Sequence, residues 1–184
     1  MRRIIPSLIW FSALAGGPPY DAKATAAANV PTDSCAVLPA TEAGGAGGTV
    51  VYLNREYGFS FSLPPSWKGF RVLACRWSGA NAARHGQEET GPLLVIRHPL
   101  YTEENPREDI PIMIFTRKQW GKDGTNLIVS AAGVGPSELG RNREYVFALP
   151  PRFAYVDVEG VQEVLDIVTG RPLRAVQISH DTKP

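Results

Sequence analysis

The strongest constraint on the fold of this chain is a run of alternating apolar and polar residues. Residues 57–63 read Tyr-Gly-Phe-Ser-Phe-Ser-Leu, which places an apolar side chain at every second position. This period of two predicts a strand with one face on a core. Pro64 and Pro65 then end the strand, because proline has no backbone N–H to extend a ladder. Trp67 follows as a large apolar group that we expect to pack against the end of the sheet. The segment therefore marks the start of a folded domain.

The first residues have the layout of an export signal. Arg2 and Arg3 precede a mostly apolar run from residue 4 to residue 15, and small residues follow, so we predict a secretory signal peptide over residues 1–28. Three A-x-A sites leave its cleavage position open. A retained membrane anchor is the alternative, although the run is shorter than the roughly 20 apolar residues that a spanning helix needs. We expect the mature chain in the periplasm or outside the cell, without a membrane span.

Residues 29–48 are rich in Ala and Gly and lack apolar periodicity. This composition predicts a flexible linker, followed by a single domain over residues 49–184. Cys35 lies in the linker, and Cys75 lies near a predicted strand end. Thiols exported to an oxidising compartment can pair, so these two residues are candidates for a disulfide. Two unpaired thiols are the alternative, because a sequence does not give the separation that a disulfide requires.

Further runs of strand length recur between turn residues downstream. They cover residues 50–53, 70–75, 93–96, 110–115, 127–132, 145–149 and 173–178. The runs 93–96 and 110–115 are apolar at successive positions, which predicts central strands covered on both faces. Pro111 should lie near the start of its strand or at a bulge, since it cannot donate to a ladder.

One amphipathic helix is predicted over residues 158–168. Asp157 is a suitable N-cap, and Gly170 followed by Pro172 provides a stop. Shorter helical turns are predicted after Thr116 and after Pro136.

Two polar segments, residues 78–91 and 102–109, are interpreted as long loops. Together, the predicted elements indicate an α+β fold. It has a mainly antiparallel curved sheet of about seven or eight strands with one or two packed helices.

Several classes of function find no support in the sequence. The formal net charge is +1 and the basic residues are scattered, which does not favour a nucleic-acid partner. The segment from Gly135 to Gly140 has one residue too many for a nucleophile elbow, and neither a P-loop nor a dinucleotide fingerprint is present. The histidines His85, His98 and His180 show no metal-binding spacing. We therefore expect neither a metal nor a cofactor.

The best candidate site follows the strand predicted at residues 93–96. Arg97, His98 and Tyr101 lie close together in the sequence, and His98 is a candidate acid or base that Asp109 would orient. The alternative is a structural histidine, with Arg97 in a surface salt bridge. Trp120 is expected to be exposed and to stack on a ligand. The predicted ligand-binding residues are therefore Arg97, His98, Tyr101 and Trp120.

Four segments resemble an uncharacterised family of small secreted bacterial proteins. They are E-Y-G-F-S-F-S-L-P-P-S-W-K-G-F at 56–70, I-R-H-P-L-Y at 96–101, D-I-P-I-M-I-F-T at 109–116 and G-R-N-R-E-Y-V-F-A-L-P-P-R at 140–152. This resemblance implies an exported small domain and no particular activity. The first segment is also similar to the opening of PsbP-like domains, which implies an antiparallel sheet flanked by helices.

The function that these features favour is non-catalytic binding by an exported, monomeric domain. Its partner would be an envelope protein, a glycan or a small molecule. The site is expected near the ends of the strands that contain His98 and Phe115. The alternative is a small envelope hydrolase that uses His98 and Asp109 as its catalytic residues.

Overall fold

A computed structural model describes most of the predicted domain and part of the predicted linker. The described residues are 35–39, 42–44, 46–81, 85–121, 127–128, 135–151, 153–154 and 158–177. The predicted signal peptide and the N-cap residue Asp157 lie outside them. The division into signal peptide, linker and single domain stays a prediction.

The described residues form eleven strands and two α-helices. The strands are β1 (Ala36–Leu38), β2 (Glu42–Gly44), β3 (Val50–Asn54), β4 (Phe59–Leu63), β5 (Arg71–Asn81), β6 (Gln87–Arg97), β7 (Ile110–Thr116), β8 (Leu127–Ile128), β9 (Ser137–Arg141), β10 (Tyr145–Leu149) and β11 (Leu173–Ala175). The helices are α1 (Arg117–Trp120) and α2 (Val161–Thr169), and 3₁₀ turns cover Ala46–Gly48 and Pro65–Trp67.

The strands are arranged in two sheets. A seven-stranded sheet has the order β1-β5-β6-β7-β10-β9, and β8 also pairs with β5. A four-stranded sheet has the order β11-β4-β3-β2. All the ladders between these strands are antiparallel. The predicted mainly antiparallel architecture with few helices is therefore confirmed, although the strands divide between two sheets.

The main core lies between the two sheets. The alternation at residues 57–63 places Phe59 and Phe61 of β4 in one buried cluster with Ile112 of β7, Phe147 of β10 and Val164 of α2. The rings of Phe59 and Phe147 pack with centroids 4.7 Å apart. Helix α2 therefore contributes to the same core as both sheets.

A second core covers the opposite face of the seven-stranded sheet. Its buried residues come mainly from β5, β6, β7 and β10, and α1 adds Trp120. Val95 and Met113 lie in this core, whereas Leu94 and Ile112 lie in the main core. Strands β6 and β7 thus bury side chains on both faces, as their continuous apolar runs predicted.

The N-terminal strands join the edges of both sheets. β1 pairs with β5, with Ala36 opposite Ala74, and β2 pairs with β3. A disulfide between Cys35 and Cys75, with Cα atoms 4.5 Å apart, lies directly beside the β1–β5 ladder. Part of the stretch 29–48 is therefore paired with strands of the domain.

Two local predictions are wrong, because pairing with a neighbouring strand outweighs the local preference for a loop or a helical turn. Residues 78–81 and 87–91 extend β5 and β6 into a long hairpin, with Asn81 opposite Gln87, where a long loop was predicted. Residues 137–141 pair with β10 instead of forming a helical turn. Most polar side chains of these segments are exposed, whereas Asn81 is buried and donates to Glu89, and the backbone stays hydrogen-bonded along the ladders.

The other two helix predictions are correct in kind. The turn after Thr116 is present as α1, and Thr116 forms a capping box with Gln119. Helix α2 begins at Val161, three residues later than predicted, because Gly160 adopts the left-handed conformation at φ 89°. A glycine takes this conformation at little steric cost. Helix α2 ends before Gly170, as predicted.

The Trp77 side chain supplies a hydrogen bond that the β6–β7 ladder lacks. The β6–β7 ladder ends at Leu93 opposite Met113, so the next positions would be Pro92 and Ile114, and Pro92 has no N–H to donate. The indole Nε1 of Trp77 donates to the Ile114 carbonyl at 2.9 Å instead. Trp77 lies opposite Gly91, where a Cβ atom would be only 2.5 Å from its Nε1. Gly91 therefore leaves the space that the indole needs.

We expect Trp77→Phe to lower the free energy of unfolding by about 1 to 3 kcal/mol beyond the loss of packing, because the buried Ile114 carbonyl loses its donor. Pro92→Ala restores a backbone N–H opposite that carbonyl, so Trp77→Phe should cost less in a Pro92→Ala background. Urea unfolding of the four chains in a double-mutant cycle measures the difference. Equal costs in the two backgrounds would contradict this role of Trp77.

The disulfide closes a loop with a sequence separation of 40 residues. Replacing Cys35 and Cys75 together by Ser should lower the free energy of unfolding by about 4 kcal/mol in the chain-entropy model. Urea unfolding, with and without a reductant, measures the effect. The double variant should be insensitive to the reductant, whereas an unchanged stability after reduction of the wild-type chain would oppose the prediction.

Candidate functional site

Buried polar side chains concentrate at one end of the seven-stranded sheet, where β6 ends and β7 begins. Within the described part of the chain, five polar or charged residues are buried, and His98, Glu108 and Asp109 are three of them. Buried polar groups are costly unless they are paired. This end of the sheet is therefore the candidate functional site.

A network of contacts holds the turn from His98 to Tyr101 in place. The Tyr101 N–H donates to the His98 carbonyl at 3.1 Å, and the Leu100 N–H donates to His98 Nδ1 at 3.1 Å. Arg71 Nη2 donates to the Tyr101 carbonyl at 3.3 Å. The side chain of Leu100 is nevertheless 65% exposed. The turn thus presents an apolar side chain to solvent on a fixed backbone.

Arg97 and Asp109 form an ion pair beside this turn. Arg97 Nε and Nη2 donate to Asp109 Oδ2 at 3.1 and 2.8 Å, and the two side chains are 13% and 4% exposed. Burial raises the pKa of Asp109, while the hydrogen bond and charge of Arg97 oppose that rise. The Arg97 guanidinium also lies 3.9 Å from the centre of the Tyr101 ring, a cation–π contact.

His98 is held as a neutral ring in a defined tautomer. Because Nδ1 accepts the Leu100 N–H, the proton of the neutral ring is on Nε2. The imidazole is 3% exposed and packs edge-on against Trp67, with centroids 4.9 Å apart. Burial, and secondarily the charge of Arg107, lower the pKa of His98. Nε2 therefore carries the ring N–H and can donate a hydrogen bond.

The connection between β6 and β7 is attached to the start of α2. Arg107 and Glu159 form an isolated parallel bridge and an ion pair, and the Glu108 N–H donates to the Glu159 carbonyl at 2.9 Å. Ser66, beside Trp67, donates its hydroxyl to Glu163 at 2.6 Å. Burial raises the pKa of Glu108, which favours its neutral carboxyl form. Three separate segments thus meet around His98.

Several buried polar atoms of this cluster have no hydrogen-bond partner within the described residues. They are Trp67 Nε1, His98 Nε2, Arg107 Nε and Glu108 Oε1. The first three are donors and the fourth is a carboxyl oxygen. An unpaired buried donor costs roughly 1 to 3 kcal/mol, so this concentration is unusual for a purely structural core.

The structure brings together only part of the predicted site. Arg97, His98, Tyr101 and Asp109 share one end of the sheet, but Asp109 pairs with Arg97, and no hydrogen bond joins its carboxylate to His98 in the described chain. The predicted exposure of Trp120 is wrong: its side chain is 6% exposed and packs on Phe115, with centroids 5.2 Å apart. Because β6 and β7 are antiparallel, Trp120 and His98 lie at opposite ends of a strand roughly 20 Å long.

Sequence reasoning missed Arg107, Glu108, Glu159 and Glu163, and it assigned Trp67 to packing alone. These residues come from three distant segments, and no spacing rule joins them. The loop predicted at residues 102–109 was the one sequence signal for these residues, because long loops that flank a candidate residue are common functional positions.

Within the described residues, no group of three or more His, Cys, Asp or Glu side chains is arranged to hold a metal ion. A membrane-crossing helix of sufficient length and apolar character is also absent from that part of the chain. Comparisons with protein-family models, curated proteins and solved structures found no match to this chain. Its function therefore has to be inferred from its own residues.

The lowered pKa of His98 predicts a pH-dependent stability. Below the ordinary pKa of 6.5, the unfolded chain binds a proton at this residue that the folded chain does not, so stability falls as the pH falls. His98→Gln removes this titration while Glu108 and Asp109 titrate in both chains. The wild-type free energy of unfolding, minus that of the variant, should be constant above about pH 7.5 and should fall by at most about 1.4 kcal/mol per pH unit below about pH 6.5. Urea unfolding from pH 5 to 8 measures this difference, and a constant value across that range would refute the direction of the shift.

Proposed function

We propose that this protein is an exported, non-catalytic binding domain that recognises an envelope partner through the turn from His98 to Tyr101. The observation that supports this proposal most directly is the combination of an exposed Leu100 with a backbone fixed by three hydrogen bonds. A surface that is ordered before binding loses less conformational entropy in the complex. Tyr101 and Arg97 beside it belong to residue types that are enriched in interfaces.

The proposed absence of catalysis rests on the state of His98 and Asp109. A general base of the serine-hydrolase type donates its Nδ1–H to a carboxylate and keeps a free lone pair on Nε2. His98 has the opposite tautomer, and Asp109 is engaged by Arg97. The hydrolase alternative would therefore require His98 to release the Leu100 N–H and Asp109 to release Arg97. Binding requires neither change.

The proposed export agrees with the cysteine chemistry of the chain. The disulfide between Cys35 and Cys75 is of a kind that persists in oxidising compartments and is rare in the cytosol. We further propose that the signal peptide predicted for residues 1–28 directs this export. We propose that its partner in this compartment is an envelope protein, a glycan or a small molecule.

A capture experiment tests the binding surface. The chain from residue 29 onward, tagged at its C-terminus, is incubated with envelope extract from the source cells, and bound protein, glycan and small molecules are identified by mass spectrometry. Leu100→Asp should reduce the recovered partner by about tenfold or more, because the charge opposes burial of this position. The matched control is Val37→Asp, since Val37 is 67% exposed and Leu100 is 65% exposed; it should leave recovery unchanged.

The outcomes separate the two candidate functions. Loss of one partner with Leu100→Asp, but not with Val37→Asp, supports recognition by the turn. Equal recovery with all three chains, or no specific partner, would overturn the proposal. Time-dependent cleavage of the captured material that disappears with His98→Asn would favour the hydrolase instead.

A further inference from the structure

We propose that Arg107, at the start of α2, is the centre of an oxyanion-binding site that takes a carboxylate or phosphate group. The inference rests on the binding function proposed above and names the chemistry of the group that is bound. Three features of the described residues support this site: a buried Arg107 Nε without a hydrogen-bond partner, a helix N-terminus without a side-chain cap, and two further buried N–H donors without partners.

The first feature is the orientation of Arg107. Its Nη1 pairs with Glu159, whereas its Nε has no partner within the described residues. A Cβ atom at Gly160 would lie 3.8 Å from Arg107 Nη2 and 3.9 Å from Nε. The Nε–Nη2 edge of the guanidinium therefore lies near Gly160. This edge has the parallel N–H geometry that binds carboxylate or phosphate through two hydrogen bonds.

The second feature is the N-terminus of α2. Gly160 is its N-cap residue, and no side chain of the described residues caps the nine-residue helix. The first N–H groups of a helix and its dipole favour an anion at this position. Ser, Thr, Asp and Asn are the common N-caps because they supply an oxygen acceptor. A glycine at this position leaves that role to another oxygen.

The third feature, independent of the helix, is the pair of donors on His98 and Trp67. Both side chains are almost completely buried, their rings are in contact, and His98 Nε2 and Trp67 Nε1 have no partner in the described chain. Ser66, next to Trp67, is hydrogen-bonded to Glu163 in the first turn of α2, and Arg107 lies beside Gly160 at the start of the same helix. An acceptor oxygen bound here would satisfy donors that otherwise cost stability.

The glutamates around the site are already engaged or buried. Glu163 accepts the Ser66 hydroxyl, and Glu108 is 3% exposed, with a pKa that burial raises. Glu159 is bound by Arg107 and, at 3.4 Å, by Asn105, yet its side chain is 54% exposed. Glu159 can therefore leave toward solvent, and it competes with an incoming oxyanion for Arg107.

The test is a titration of the chain from residue 29 onward with sodium phosphate and, separately, sodium acetate at constant ionic strength. Binding is followed by two-dimensional NMR of the His98 ring and of the Trp67 and Arg107 side-chain N–H groups. We expect saturable shifts of these signals with at least one anion. Glu159→Gln should bind about threefold or more tightly, and Arg107→Lys should bind about tenfold or more weakly, because a lysine keeps the charge but lacks the paired donors.

Arg141→Gln is the matched control, because Arg141 also pairs with a single glutamate, Glu138, on an edge strand. It should bind the anion as the wild-type chain does. Unchanged affinity in Arg107→Lys, or no shift at His98 and Trp67 with either anion, would overturn the site. A response to phosphate alone assigns the site to phosphate groups, and a response to acetate assigns it to carboxylates.

The capture experiment keeps this inference separate from the binding function. If capture depends on Leu100 but the NMR titration shows no binding of either anion, the oxyanion site is wrong and the binding function stands. If the NMR titration shows binding that Arg107→Lys weakens but no partner is captured, the oxyanion site stands and the binding function is wrong.

Discussion

The burial of aromatic side chains between the two sheets is the interaction on which the rest of this structure depends. Phe59 and Phe61 face Phe147 across the core, and removing such rings from water provides a large part of the free energy of folding. Because these rings fix the position of β4, they also fix the place where Pro64 and Pro65 turn the chain. The 3₁₀ turn that follows brings Trp67 against His98. The core therefore determines the position of the candidate site.

Polar and charged side chains are buried at the candidate site. Asp109 is buried with Arg97, and removing either partner would leave an uncompensated charge. An apolar core of the same shape would avoid the cost of burying two charges. The presence of the Arg97–Asp109 pair therefore agrees with a need for a fixed turn. The same end holds the donors of His98, Trp67 and Arg107 that have no partner among the described residues. Rigidity of the turn and an incomplete hydrogen-bond network thus occur together, as expected where function and stability compete.

Local pattern predicted the elements better than it predicted their partners. The alternation at residues 57–63 and the apolar runs at 93–96 and 110–115 correctly indicated β4, β6 and β7, because burial imposes a period on the sequence. The prediction that Asp109 orients His98 was based on their proximity in the chain. Asp109 lies opposite Arg97 once the β6–β7 register is extended by one residue, and this register depends on packing of both faces. Trp120 was expected at the surface because nothing local indicates that the second core, which the apolar runs of β6 and β7 predict, extends to α1.

The sequence by itself determined that most of the strands and helix α2 form, that β4 ends at the prolines and α2 at Gly170, and which faces of β4, β6 and β7 are apolar. It did so because periodicity, proline and glycine act within a few residues. Only the tertiary structure decided that β5 and β6 continue through a polar stretch, that Trp77 supplies the N–H that Pro92 lacks, and that Arg107 meets the start of α2. These contacts join residues far apart in the chain. Their geometry is set by the register and packing of whole sheets, which no short window of sequence contains.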